Sequence, residues 1–145
     1  MKTLRPLAVF LASALLASGR PPNILLIVTD DLGFGDPGCY GAEQIATPRI
    51  DRLADEGLRF TSAYAPASTC TPTRYSILTG EYPWRQKVRK NTILDGDAPL
   101  AFETSQPTVA RFLKNAGYTT GVVGKWHLGL GDGVRPVDFN AEIKP

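Results

Sequence analysis

The stretch Asn23-Ile24-Leu25-Leu26-Ile27-Val28-Thr29 is a short and nearly continuous run of apolar side chains. Such a run is typical of a strand that is buried on both faces, as the central strands of parallel sheets are. Residues 58–65 and 118–123 are the next predicted strands, and predicted helices separate them along the chain. This alternation predicts an α/β fold built in layers around a parallel sheet.

Three helices are predicted between these strands. Thr is a favoured residue just before a helix, Pro suits its first turn, and Gly commonly follows its last residue. The expected boundaries are Thr47, Pro48 and Gly57 for the first helix, Thr71, Pro72 and Gly80 for the second, and Pro107–Ala116 with Gly117 for the third. The faces expected to point inward are Ile50, Leu53 and Ala54 in the first helix and Val109, Phe112 and Leu113 in the third. Residues 81–100 are predicted to form a long loop.

The first 19 residues have the pattern of a signal peptide. Lys2 and Arg5 precede an apolar segment, residues 7–16, which is too short to span a bilayer, and the small residues 17–19 offer a cleavage site. We therefore expect residues 20–145 to be the folded part of a secreted or periplasmic protein without a stable membrane span. An uncleaved membrane anchor is the alternative interpretation of the same segment.

The charge of the chain argues against a nucleic-acid partner. Sixteen basic and 14 acidic residues give a formal net charge of +2, which provides no extended positive surface. The basic cluster Arg85, Lys87, Arg89 and Lys90 is interpreted either as a solvated loop or as a rim that attracts a polyanionic substrate.

Ionisable side chains follow two of the predicted strands. Asp30 and Asp31 come directly after the first strand, and Lys125 and His127 come after the last. Carboxyl ends of parallel strands share one edge of a sheet, so these groups are predicted to lie at the same edge. Adjacent carboxylates suit a hard cation such as Ca²⁺ or Mg²⁺, although a turn or helix cap also explains such a pair.

Cys70 is predicted to lie immediately ahead of the second helix, with Arg74 about one turn inside it. The positive end of a helix dipole suits a nucleophile that handles an anion. In an exported protein, however, two cysteines also permit a Cys39–Cys70 disulfide.

Three motifs together resemble those of the sulfatase family. Residues 70–80 match Cys-x-Pro-x-Arg-x-x-x-Leu-Thr-Gly at every fixed position, residues 23–35 resemble the opening of sulfatases, and residues 117–129 resemble Gly-Tyr-x-Thr followed by Gly-Lys-Trp-His-Leu-Gly. The resemblance implies a three-layer α/β sandwich with a mostly parallel central sheet, like those of alkaline phosphatase and sulfatases, of which this chain forms an incomplete, N-terminal part.

The resemblance also implies a modified residue and a metal site. Cys70 is expected to be converted to formylglycine (3-oxoalanine) by a formylglycine-generating enzyme, which makes Cys39 a buried or free thiol. Asp30, Asp31 and the oxygen of modified Cys70 are the expected ligands of Ca²⁺, with Mg²⁺ as an alternative. The family's further metal ligands come well downstream, and nothing after Gly131 matches them.

The remaining motif residues would stabilise negative charge during the reaction or orient the reacting groups. By resemblance, Arg74 stabilises the formylglycine oxygens, Lys125 holds both the sulfate and a formylglycine oxygen, and His127 orients the formylglycine hydroxyl. The implied activity is hydrolysis of sulfate monoesters in a sulfated small molecule or glycan. The alternatives are a phosphodiester or phosphonate monoester hydrolase of the same superfamily, and an inactive fragment.

Overall fold

A computed structural model describes residues 20–86 and 92–130 of the chain. The predicted signal peptide, the predicted tail after Gly131 and three members of the basic cluster (Lys87, Arg89 and Lys90) lie outside the described residues. The chain divides into two compact units, Met1–Gly33 and Phe34–Pro145, each of which is described by itself.

The second unit contains the helices α1 (Pro48–Glu56), α2 (Cys70–Thr79) and α3 (Val109–Asn115), and short 3-10 turns at Gly38–Tyr40 and Pro83–Arg85. The prediction for α1 is confirmed, with Thr47 before it, Pro48 at its start and Gly57 after it. The hydroxyl of Thr47 does not cap the α1 backbone. It accepts from the amide of Gly38 at 2.7 Å and donates to Asp51 at 2.9 Å, and so ties the first 3-10 turn to α1.

Helix α2 begins two residues before the predicted first residue, Pro72. Thr69 precedes it with extended backbone angles, Cys70 is its first residue, and Gly80 ends it at a left-handed φ of 71°. The prediction that Thr71 caps this helix is wrong, because Thr71 lies in the first turn and is fully buried. Its hydroxyl is used in contacts with other segments.

The core of the second unit forms where α2 meets the predicted loop and the segment around Leu128. Its buried apolar residues are Tyr75, Leu94, Ala98, Ala101, Phe102 and Leu128. The amide of Ala101 donates to the carbonyl of Leu128 at 2.8 Å, which joins the loop to that segment. The long loop is therefore irregular but not solvated throughout, since it supplies several core residues.

The structure assigns no strand within residues 20–86 and 92–130, which differs from the three predicted strands. Apolar side chains there are exposed, including Leu25 at 84% and Val123 at 102%. The expected inward faces of two helices are exposed as well, with Leu53 at 69% and Phe112 at 72%. A strand requires hydrogen bonds from a neighbouring strand, and the described residues form no such ladder.

Candidate functional site

Cys70 lies beside a positive charge at the start of α2. The ammonium Nζ of Lys125 donates toward Cys70 Sγ at 3.3 Å, and the N-terminal end of α2 carries a partial positive charge of its own. Cys70 is half-buried, and neither it nor Cys39 forms a disulfide, although both belong to the described residues. The disulfide alternative is therefore not observed, and Cys39 is half-buried, not fully buried.

Arg74 connects α2 to the segment that contains Lys125. Arg74 follows Cys70 by four residues, so the two side chains lie on the same face of the helix. Its guanidinium donates to the carbonyl oxygen of Lys125 at 2.6 Å. The structure thus brings together Cys70, Arg74 and Lys125, three of the residues that the sequence analysis selected.

His127 is held against α2 through a hydrogen-bonded group that the sequence analysis missed. Thr71 Oγ1 donates to the carbonyl of His127 at 2.9 Å and accepts from the amide of Leu94 at 3.2 Å. The carbonyl of Leu94 in turn faces His127 Nε2 at 2.9 Å. Thr71 follows Cys70 directly, so this group fixes His127 next to the first turn of α2. In the sequence, the Thr71-Pro72 pair indicated only a helix cap, and nothing at Leu94 indicated a role in the site.

The backbone and ring of His127 are both unusual. Its φ is +52°, in the left-handed region that residues other than glycine rarely adopt. Because a carbonyl oxygen can only accept, the Nε2 that faces Leu94 carries the hydrogen. Nδ1 is buried and has no hydrogen-bond partner within the described residues. With its hydrogen on Nε2, the neutral form of the ring has its acceptor at Nδ1.

Asp30 and Asp31 belong to the first unit, where both are exposed and Asp31 has a φ of +57°. Their carboxylate oxygens are the donor type that Ca²⁺ and Mg²⁺ prefer. Within residues 20–86 and 92–130, no group of three or more His, Cys, Asp or Glu side chains is arranged to hold a metal ion. The two carboxylates thus fit a hard cation by chemistry, but they form only part of a ligand shell of six or more oxygens.

A second polar group lies at the other end of α2. The hydroxyl of Tyr75 donates to Glu81 at 2.9 Å and accepts from the side-chain amide of Gln106 at 2.9 Å. Burial raises the pKa of Tyr75 above its ordinary value, and the Glu81 carboxylate adds to that effect. These residues line a cavity of about 280 Å³ together with Phe102, Glu103, Ser105 and Pro107. None of the six residues selected from the sequence lines it.

Comparison with known proteins establishes the family. The sulfatase family model matches residues 22–138, and the chain therefore belongs to the sulfatase family. It is 54% identical over 129 residues to an N-acetylgalactosamine-6-O-sulfatase of Bacteroides thetaiotaomicron, a match that covers 88% of this chain and 24% of that protein. It is 48% identical over 130 residues to human arylsulfatase A, covering 88% of this chain and 25% of that protein.

A solved structure shows the same relationship in three dimensions. It comes from work on the metabolism of multiple glycosaminoglycans by Bacteroides thetaiotaomicron, and it is 58% identical to this chain with a TM-score of 0.65. The match covers 70% of this chain and 21% of the solved one. It supports an α/β fold of the alkaline phosphatase type. The chain thus spans about a quarter of the length of the curated relatives named above.

The part of the chain that the structure describes contains no helix that is both long enough and apolar enough to cross a membrane.

Proposed function

We propose that this chain forms part of an enzyme that hydrolyses sulfate monoesters, with Cys70 as the precursor of its nucleophile. The observation that supports this most strongly is the 3.3 Å contact between Lys125 Nζ and Cys70 Sγ at the start of α2. A positive side chain and a helix N-terminus together favour the binding of an anion such as sulfate at this position. Membership of the sulfatase family supports the same activity.

Conversion of Cys70 to formylglycine by a formylglycine-generating enzyme is the second part of the proposal. An aldehyde at this position hydrates to a geminal diol, and one of its hydroxyls attacks sulfur and expels the alcohol. The second hydroxyl then loses its proton, the bond from the residue 70 carbon to the sulfate oxygen breaks, and sulfate leaves as the aldehyde is regenerated. A serine has no second hydroxyl, so it can be sulfated but cannot release the sulfate by the same route. Half-burial and the absence of a disulfide leave Cys70 suitable for modification.

The positive residues stabilise the charge that develops during the reaction. Lys125 binds a sulfate oxygen and one oxygen of modified Cys70. Arg74 stabilises the oxygens of residue 70 from the same helix face, and its bond to the Lys125 carbonyl fixes the backbone from which the Lys125 side chain extends. Cations held beside the reacting group lower the barrier because they stabilise the negative charge that develops in the transition state. His127 accepts a hydrogen bond from a hydroxyl of residue 70 and orients it.

A divalent cation completes the proposed site. Asp30, Asp31 and an oxygen of modified Cys70 would hold this cation, and Ca²⁺ would suit their hard oxygens, with Mg²⁺ as the alternative. Such a cation polarises oxygen ligands and offsets negative charge. Within the described residues, these side chains supply only part of the ligand set.

The proposed substrate class follows the relatives, and the proposed location follows the pattern of residues 1–19. The similarity to an N-acetylgalactosamine-6-O-sulfatase leads us to propose a sulfated sugar or glycan as the first substrate to test, with small aryl sulfates as the general probe. Residues 1–19 are proposed to be a signal peptide, and residues 20–145 the N-terminal part of a catalytic domain in the periplasm or outside the cell. The full domain is proposed to be a three-layer sandwich around a mostly parallel sheet.

The test combines peptide mass with turnover of the complete gene product that contains this chain. The peptide spanning residues 69–74, purified after expression with a formylglycine-generating enzyme, should show the mass loss of thiol-to-aldehyde conversion. Cys70→Ser should lose turnover by several orders of magnitude and retain a stoichiometric sulfate ester. The matched control Cys39→Ser should keep its activity.

Two results would contradict the proposal. An unmodified thiol at Cys70 in fully active enzyme would show that the reaction does not use the proposed formylglycine nucleophile. Faster hydrolysis of an aryl phosphonate than of the matching aryl sulfate would favour the phosphonate hydrolase alternative.

A further inference from the structure

Thr71 is a fully buried polar residue to which the proposed reaction assigns no role. It directly follows Cys70 and is 0% exposed. Its hydroxyl both donates and accepts, to the carbonyl of His127 at 2.9 Å and from the amide of Leu94 at 3.2 Å. Three segments that are distant in sequence, at residues 71, 94 and 127, therefore meet at one hydroxyl group. A hydroxyl that only stabilised α2 would need no bonds to the other two segments.

Leu94 transmits this contact to the imidazole. Its side chain is 4% exposed in the core, its amide is held by Thr71, and its carbonyl accepts from His127 Nε2 at 2.9 Å. The hydrogen bonds thus form a closed ring that runs from the Thr71 hydroxyl through Leu94 to the imidazole and returns through the His127 carbonyl. Which nitrogen of a histidine stays unprotonated is set by the bond that the other nitrogen makes.

The backbone of His127 also depends on this ring. A residue other than glycine with φ of +52° is held in a conformation that costs on the order of 1 kcal/mol, and it persists only when surrounding contacts fix it. The Thr71 hydroxyl bonds the carbonyl of that same residue. The result is an imidazole with Nε2 occupied and with a buried Nδ1 that has no partner in the described part of the chain.

We infer that Thr71 is a positioning residue for the proposed reaction. Through Leu94 and the His127 backbone, its hydroxyl fixes the orientation and the tautomer of His127, so that Nδ1 is presented as a hydrogen-bond acceptor. The inference rests on the proposed function, in which that acceptor holds a hydroxyl group of modified Cys70. The threonine between the nucleophile and the first helical turn thus has a role that its position in the motif alone does not reveal.

The kinetic test compares three variants of the complete gene product, with turnover normalised to the fraction of Cys70 that peptide mass shows to be modified. Thr71→Val removes the hydroxyl while keeping the shape, and it should lower kcat about 10- to 100-fold with KM changed less than about twofold. Thr71→Ser keeps the hydroxyl and should retain kcat within about threefold of the unmutated enzyme. The matched control Thr73→Val removes a threonine hydroxyl of the same helix that donates to the Ala67 carbonyl at 2.7 Å, and its kcat should be unchanged.

A spectroscopic test examines the ring itself, without turnover. In the ¹H–¹⁵N spectrum of histidine-labelled enzyme, the signal assigned to His127 by its loss in His127→Gln should show the Nε2–H tautomer, and Thr71→Val should produce a mixture of tautomers. An Nδ1–H tautomer in the unmutated enzyme would overturn the inference even if Thr71→Val failed to fold. An unchanged normalised kcat in Thr71→Val, or a loss in Thr71→Ser equal to that in Thr71→Val, would overturn it as well. An unmutated enzyme with no sulfatase activity but with the expected tautomer would contradict the proposed function and leave the positioning geometry supported.

Discussion

Lys125 is the residue whose placement most directly supports the role proposed for Cys70. Lys125 is exposed and its ammonium contacts Cys70 Sγ at 3.3 Å, while its backbone carbonyl accepts a hydrogen bond from Arg74 at 2.6 Å. Side-chain charge and backbone anchoring are thus separate properties of this position, and a substitution can remove the first while leaving the second.

Lys125→Ala should lower kcat/KM for an aryl sulfate about 100- to 1,000-fold, which is the usual effect of removing one donor that stabilises a developing oxyanion. The bond from Arg74 to the backbone carbonyl remains possible in this variant, so the fold should be retained. Steady-state kinetics and the thermal unfolding midpoint of the complete gene product would measure the two effects. Lys114→Ala, which removes a lysine from the last turn of α3, is the charge-matched control and should behave as the unmutated enzyme. Equal activity in the two variants would exclude Lys125 from the site.

The residues of this site differ in how far the sequence could predict them. Four residues could be predicted because they occupy fixed positions of the motifs: Cys70, Arg74, Lys125 and His127. Thr71 was assigned wrongly because a Thr-Pro pair gives the same local signal for a cap as for a first turn. Leu94 could not be predicted, because its contribution comes from backbone groups placed by tertiary packing, and an apolar side chain carries no signal of that contact.

At the level of elements, local chemistry predicted helices better than strands. Pro48, Gly57 and Gly80 act on the backbone next to them, and all three mark helix boundaries in the structure. A strand depends instead on hydrogen bonds to residues far away in the sequence. An apolar run therefore forms a strand only when a partner strand pairs with it. The same dependence on distant contacts explains the exposed face of α3, where Phe112 was predicted to point inward.

The segment after His127 returns to the core through a single constrained glycine. Gly129 has a φ of +88°, and a Cβ added there would collide with the carbonyl of Pro99. Trp126 Nε1 also donates to the carbonyl of Gly129 at 3.0 Å. The loop at Pro99 and the segment at Gly129 are therefore packed backbone against backbone, which keeps His127 and Leu94 within reach of each other.

Gly129→Ala should therefore lower the free energy of unfolding by about 2 kcal/mol or more. The alanine would have to adopt the positive φ of Gly129, and its Cβ would clash with backbone atoms of the Pro99 loop. Urea denaturation of the complete gene product would measure the change. Gly96→Ala is the matched control. Gly96 lies in the loop that contains Pro99, and a Cβ added to it meets nothing within 4 Å. A destabilisation in Gly129→Ala no larger than that in Gly96→Ala would show that the close approach does not constrain the fold.

At the level of the whole molecule, the described residues leave much apolar surface uncovered. Leu25, Leu53, Phe112 and Val123 are each at least two-thirds exposed, and they lie on segments where the sequence predicts buried strands or helix faces. Large exposed apolar surfaces are rare on soluble monomers and usually mark contacts with another part of the protein or a partner. The chain spans about a quarter of the length of its curated relatives, so the family's domain contains far more structure than this chain supplies.

Activity should therefore depend on more of the domain than these 145 residues. Asp30 and Asp31 supply carboxylates for a hard cation, yet the described residues contain no group of three or more potential ligands, and a cation held by two carboxylates binds weakly. We expect the isolated chain, modified at Cys70, to hydrolyse an aryl sulfate at least about 100-fold more slowly than the complete gene product, since metal ligation and charge stabilisation are both reduced. It should also bind an apolar fluorescent dye more strongly per mole, because its uncovered strand and helix faces remain accessible. Equal turnover per modified Cys70 in the two proteins would show that Arg74 and Lys125 suffice without the remaining ligands.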